Sequence, residues 1–112
     1  MSDVSFLDLV STYFQRRGYK IEKEVILDGY SGLLRKFDLS VSKSSEKRLV
    51  WIREWKRTIG VNMIINIDKA STDVGLPNPI VISGKFSGHA KAYANRRGIT
   101  LIQKGRILRE FR

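Results

Sequence analysis

Asp38, Glu54 and Lys56 are the residues whose types and spacing point to chemistry. Glu54 and Lys56 stand two apart in RLVWIREWKR (residues 48–57), a stretch rich in β-branched and aromatic residues that is expected to form a strand. On a strand they project from one face, about 7 Å apart, while Trp51, Arg53 and Trp55 project from the other. Asp38 lies in the preceding extended segment, on the side opposite Phe37, Leu39 and Val41, and faces Glu54 across the ladder if the two strands pair. Two carboxylates so placed repel each other unless a cation lies between them. The chain has no cysteine and a single histidine, His89. A metal must therefore be held by carboxylates, backbone carbonyls and water, which favours a hard ion such as Mg²⁺ or Mn²⁺. The backbone carbonyl of Trp55 is expected to supply a third oxygen. An ion there would activate water and stabilise charge on a phosphate, with Lys56 orienting or deprotonating the water. An isolated E-x-K is common on solvated strands. Here it gains meaning from the preceding acid, from the basic chain, from the helix that follows, and from the apolar neighbours Val50 and Ile52, beside which an unpaired charge is costly.

Other polar groups flank this set. Arg35, Lys36, Arg53 and Arg57 are candidate phosphate contacts, with a solvated basic face as the competing reading. Ser83, Lys85 and Ser87 precede an expected helix whose first amides can bind phosphate, although capping alone explains Ser87. His89 is expected at the surface. Trp51 and Trp55 are expected in the core rather than stacked on bases.

The elements that position these groups follow from hydrophobic period and punctuation. Phe6, Leu9, Val10, Tyr13 and Phe14 mark a helix over 5–17, with Ser5 and Asp8 spaced as a capping box and Gly18 as its stop. Extended segments are expected at 19–27, 33–41 and 48–57, forming an antiparallel meander. A helix over 61–74 follows Gly60, then a short apolar strand at 80–82, a helix from Ser87 to Arg97, and a strand at 99–102. Lys104-Gly105 reads as a turn and 106–111 as a final edge strand or turn. The β-α-β unit at the end implies parallel neighbouring strands with a right-handed crossover. The expected fold is α/β, a mixed sheet with helices on both faces in the order α-β-β-β-α-β-α-β, forming one domain over residues 1–112.

The chain carries 21 Lys and Arg against 11 Asp and Glu, a net charge of +10. That excess favours a polyanion, and its dispersal along the chain argues against a basic tail. No run is apolar and long enough to span a membrane, and the start lacks the order of a signal peptide, so the expected location is the cytoplasm. Val61, Met63, Ile64, Ile65 and Ile67 make the 61–74 helix apolar on more than one side, which suggests a homodimer through it.

Taken with its motifs, the stretch from Phe6 to Leu108 resembles the Mrr-like branch of the PD-(D/E)xK nuclease superfamily. FLDLV followed by RRGYKI is similar to that branch's first helix and closing Gly-Tyr. KFDL matches the metal-binding aspartate, at Asp38, and WIREWKR matches the E/Q-x-K strand, at Glu54 and Lys56. IVISGKFSGHAKAYANRRGITLI is similar to its strand, Ser/Thr loop, Phe-Ser, alanine-rich helix and Gly-Ile-x-Leu-Ile strand. The resemblance implies a restriction-endonuclease-like three-layer fold and Mg²⁺-dependent phosphodiester cleavage of DNA, with no small-molecule cofactor. It departs at Leu7, where the family often has glutamate, and at Lys36, where it often has glycine. Asp8 is the possible extra acid, with capping as its competing role. Archaeal Holliday-junction resolvases share the fold, size and charge and offer an alternative substrate. A nuclease-like domain kept only for DNA binding is a second class of reading. An RNA-binding or ribosome-associated protein is a third, and it leaves the three-residue constellation unexplained.

Overall fold

The structure is a computed structural model that describes residues 5–54 and 56–111. Nine elements follow one another among the described residues. They are α1 (Phe6–Gln15), β1 (Lys20–Asp28), β2 (Leu34–Lys43), β3 (Glu46–Arg53), α2 (Val61–Asp73), β4 (Ile80–Ser83), α3 (Gly88–Arg97), β5 (Thr100–Gln103) and α4 (Lys104–Glu110). The sheet runs in sequence order, β1-β2-β3-β4-β5. The first three strands form the expected antiparallel meander, and β4 and β5 join β3 in parallel. The short parallel strand IVIS is buried at every position, as a strand covered on both faces must be.

Side-chain alternation divides the core between the two faces. Leu39, Val41, Val50, Ile80, Ile82 and Ile102 pack with Phe6, Val10 and Phe14 of α1 and with Ile107 of α4. Val81, Ile64, Ile67, Ala90 and Ala94 build the opposite layer, beneath α2 and α3. The apolar excess of α2 is largely taken up there: Ile64 and Ile67 are buried, Val61, Met63 and Ile65 are half-buried, and none of them is among the large apolar side chains exposed on the surface. No helix among the described residues is long and apolar enough to cross a membrane.

Three expectations are corrected. Residues 104–110 form a helix, not a turn followed by an edge strand. Ile107 is fully buried against the α1 layer, and Phe111, four residues on, lies under Arg16 of α1. That is one helical face, on a stretch too short for its period to show. Next, β3 ends at Arg53, so Glu54 and Lys56 lie on the connection to α2 rather than within the strand.

Phe37, finally, does not share a face with Leu39 and Val41. It packs with Val25, Leu49 and Ala70 on the α2 side, whereas Leu39 and Val41 face α1. The change of face occurs where the β1–β2 ladder is interrupted. Lys23 pairs with Leu39 and Val25 with Phe37, while Glu24 and Asp38 between them are unpaired. Glu24 has φ 53°, a left-handed conformation uncommon for a residue with a Cβ. The backbone rotates there, and the tip of the hairpin is turned toward α2.

Its tip is fastened by Asp73 at the end of α2. The carboxylate accepts from Ser31 N (2.9 Å), Ser31 Oγ (2.7 Å) and Arg35 Nε (2.9 Å). Gly29 is required at this turn because a Cβ would run into the Asp73 carboxylate. Asp73's pKa is held below the usual carboxylate value, first by the Ser31 hydroxyl and then by Arg35.

Candidate active site

The interrupted ladder is also where the site forms. On its other side, β2 pairs with β3 from Lys43↔Glu46 to Leu39↔Val50 and no further. At the next position Asp38 replaces backbone pairing with its own side chain. Its Oδ2 accepts a hydrogen bond from Ile52 N at 2.7 Å. The strands part there, and Asp38 satisfies an amide that the separation would otherwise leave bare. Arg53 Nη1 lies 3.4 Å from the same oxygen and also donates to Ile52 O at 2.8 Å. Its guanidinium stacks 4.6 Å over Trp51, which in turn meets Phe37 edge-on. Asp38 therefore sits on a buttress that runs back into the core, yet it stays 39% exposed. A carboxylate both fixed and open to solvent is the condition for binding an external cation.

Asp38, Lys36, Arg53, Glu24 and Leu7 line an open cleft of about 670 Å³. Leu7, on the buried side of α1, thus occupies cleft wall beside Asp38. Asp8 turns elsewhere. Its carboxylate pairs with Lys23 at 3.0 Å, and its amide donates to the cap Ser5. The Lys23 hydrogen bond and then Ser5 lower its pKa.

Glu54 lies two residues beyond the Ile52 amide that holds Asp38. It is half-exposed, and its Oε1 accepts from Lys104 Nζ at 2.9 Å. Among the described residues, nothing donates to Asp38 Oδ1 or Glu54 Oε2. Lys56 is exposed and has no hydrogen bond or ion pair there. Glu54 and Lys56 follow the end of β3 and do not line the Asp38 cleft. The expected face-to-face pairing of Asp38 with Glu54 across a ladder is absent: the ladder ends at Leu39↔Val50, and its register, carried further, would set Asp38 opposite Trp51 and Glu54 opposite Arg35. The Trp55 carbonyl, expected as a third ligand, lies outside the described residues.

The donor chemistry fits a hard divalent ion. Two carboxylates, each with one oxygen open, belong to neighbouring segments of a strongly basic protein, Asp38 being tied to the Ile52 amide two residues before Glu54. No group of three or more His, Cys, Asp or Glu able to hold a metal occurs among the described residues. An ion here must take its remaining ligands from backbone, water and substrate, as Mg²⁺ does at phosphate sites.

The flanking candidates divide. Lys36 and Arg53 border the cleft, and Arg57 is exposed beyond β3. Arg35 is drawn away to Asp73 and lines a separate depression with Asp68, Tyr93 and Arg97. Ser83 is fully buried at the end of β4, its Oγ without a partner among the described residues, so it cannot touch a nucleic acid from there. Ser87 caps α3, accepting from Ala90 N at 3.1 Å. Lys85 and His89 are exposed. Sequence reasoning missed Lys91, Arg106 and Arg109, which border a cleft of about 420 Å³ alongside Asn95 and Gln103. It also missed Lys104. Three of these four cations ride on α4, the helix the sequence reading lacked.

A family model described as restriction endonuclease, Mrr_cat, matches residues 1–111. No curated protein matches the chain. Among solved structures, the crystal structure of AF1548, a protein of unknown function, superposes with a TM-score of 0.79 at 19% identity. The match covers 88% of this chain and 57% of that one, so the chain spans little more than half of that protein's length.

Proposed function

The chain belongs to the Mrr_cat restriction endonuclease family, and from that premise we propose that it is a metal-dependent DNA endonuclease whose chemistry is carried by Asp38, Glu54 and Lys56. The observation that carries this reading is Asp38 itself. It stands where two strands separate, is anchored through Ile52 N, and keeps one oxygen open in a cleft bordered by cations. Mg²⁺ or Mn²⁺ held by Asp38 and Glu54 would supply Lewis acidity, making hydroxide available near neutral pH and offsetting charge that builds on phosphorus. The protein's own groups do the remainder. Ile52 N and Arg53 hold the Asp38 carboxylate in one orientation. Lys56, on an exposed connection, can reach the scissile phosphate, where its ammonium offsets phosphorane charge or moves a proton. Lys36, Arg53 and Arg57 would hold flanking phosphates. Hydrolysis adds water across one P–O bond and releases a phosphomonoester and a hydroxyl.

Incubating supercoiled plasmid with Mg²⁺ or Mn²⁺ tests the proposal. Nicking is expected, stopped by chelation. Asp38→Ala, Glu54→Ala and Lys56→Ala should each lose on the order of a hundred-fold or more in rate while DNA affinity is kept. Wild-type cleavage by Glu54→Ala would reject the assignment. Comparing a four-way junction with linear duplex separates junction resolution from general cleavage.

A second reading is favoured by a specific observation. Leu7 sits in the cleft wall, and each acid already faces a cation, Arg53 or Lys104. A binding module without catalysis would show DNA affinity and no nicking with either ion. A homodimer through α2 would use the half-buried Val61, Met63 and Ile65 and bring two sites to two strands. Sedimentation at the monomer mass at high concentration would reject that assembly.

A further inference from the structure

The ion pair between Lys104 and Glu54 joins residues 50 apart in the chain, and it is the only hydrogen bond or ion pair of the Glu54 carboxylate among the described residues. Its position is set by α4 as a whole. Ile107 fixes the middle of that helix in the core. At the far end, Glu110 accepts from Arg17 Nη2 at 2.8 Å and from Arg16 at 3.4 Å. At the near end the Lys104 ammonium lies 4.9 Å over the Phe6 ring of α1, and it is only one-third exposed. The ammonium is thus held between an aromatic face and a carboxylate by a helix docked along its length. A surface lysine with a free choice of rotamers would gain little from one exposed carboxylate.

We propose that Lys104 is a positioning residue of the active site, a resident cation that occupies Glu54 until a divalent ion and a phosphate displace it. This rests on the assignment of Glu54 as a metal ligand. In the free protein the ammonium offsets the Glu54 charge and competes with the metal for it. When DNA binds, a phosphate offers the ammonium another anion within a lysine's reach, and Glu54 is released to the ion. Metal and nucleic acid therefore favour each other's binding, and coupling of this kind is reciprocal. Metal-loaded protein without substrate is disfavoured.

Mn²⁺ binding, followed by the electron paramagnetic resonance signal of the free ion, tests this without any cleavage. The full chain is used, with and without a duplex oligonucleotide in which phosphorothioates block hydrolysis. In the absence of DNA, Lys104→Met is expected to bind Mn²⁺ about five-fold more tightly than wild type, the worth of one exposed ion pair. Lys104→Arg should stay near wild type. DNA should tighten Mn²⁺ binding by wild type more than by Lys104→Met. In a Glu54→Gln background the Lys104→Met substitution should make no difference, as a double-mutant cycle requires of a direct pair. Equal Mn²⁺ affinity for wild type and Lys104→Met, both binding through Glu54, would overturn the competition while leaving the metal site intact. If Glu54→Gln binds Mn²⁺ as wild type does, the metal assignment itself fails and this inference with it. Thermal melts of each variant confirm that folding is unchanged.

Discussion

At the scale of single residues, the arrangement depends on a carboxylate doing two things with its two oxygens. Asp38 Oδ2 takes the place of a missing ladder bond, and Oδ1 stays open. Asp38→Asn can keep the first role in part but loses the charge. It should therefore fold and bind DNA while failing to cleave, which distinguishes a chemical from a structural role for the carboxylate. Leu7 offers the converse test. It already borders the Asp38 cleft, so Leu7→Glu adds a third acid there and should tighten Mn²⁺ binding, as titration of the free protein would reveal. The proposal of Asp38, Glu54 and Lys56 comes from their type and order in the sequence. The geometry between them was not. Alternation assumed an unbroken strand, whereas the left-handed turn at Glu24, the unpaired Asp38 and the end of β3 at Arg53 come from tertiary packing, with Phe37 drawn toward α2. Ser83 misled for a related reason. Its loop position by sequence is the buried end of a central strand in space.

At the scale of elements, two anchors hold the site from outside it. Asp73 fastens the hairpin that carries Asp38. Its folded pKa is lowered by Ser31 and Arg35, so its contribution is fully present above the unfolded value of about 3.9. It is lost as pH falls through the folded value below that. Urea melts should show Asp73→Asn less stable than wild type at pH 7, with the gap closing in acid below about pH 4. A gap that widened in acid would contradict the assigned sign. Helix α4 is the other anchor. Ile107→Ala should cost about 2–5 kcal/mol by cavity formation, read from the same melts. The meander, the closing β-α-β unit and the approximate place of each of the five strands were readable from period and glycine punctuation, whereas the parallel pairing of β3 with β4 was not. α4 was not, because seven residues with one buried side chain leave no period to detect, and Gly105 in its first turn mimics a loop.

For the molecule as a whole, the net charge of +10 was the plainest signal in the sequence, but its spatial sorting was not. Cations gather at the Asp38 cleft and between α3 and α4, whereas Arg16, Arg17, Arg35 and Arg97 are engaged by Glu110, Asp73 and Asp68. Affinity for duplex DNA should fall steeply with salt, with the logarithmic slope diminishing by about one for each phosphate-contacting cation removed. Lys36→Ala and Lys91→Ala should each show this, and Arg35→Ala should not. The most direct measurement of the central claim is a crystal of the protein with Mn²⁺ and a non-hydrolysable duplex, read by anomalous scattering. One peak is expected between the carboxylates of Asp38 and Glu54 and against a phosphate, with Lys104 moved off Glu54. A phosphate seated in the cleft with no ion at either acid, or an ion bound elsewhere, would contradict it.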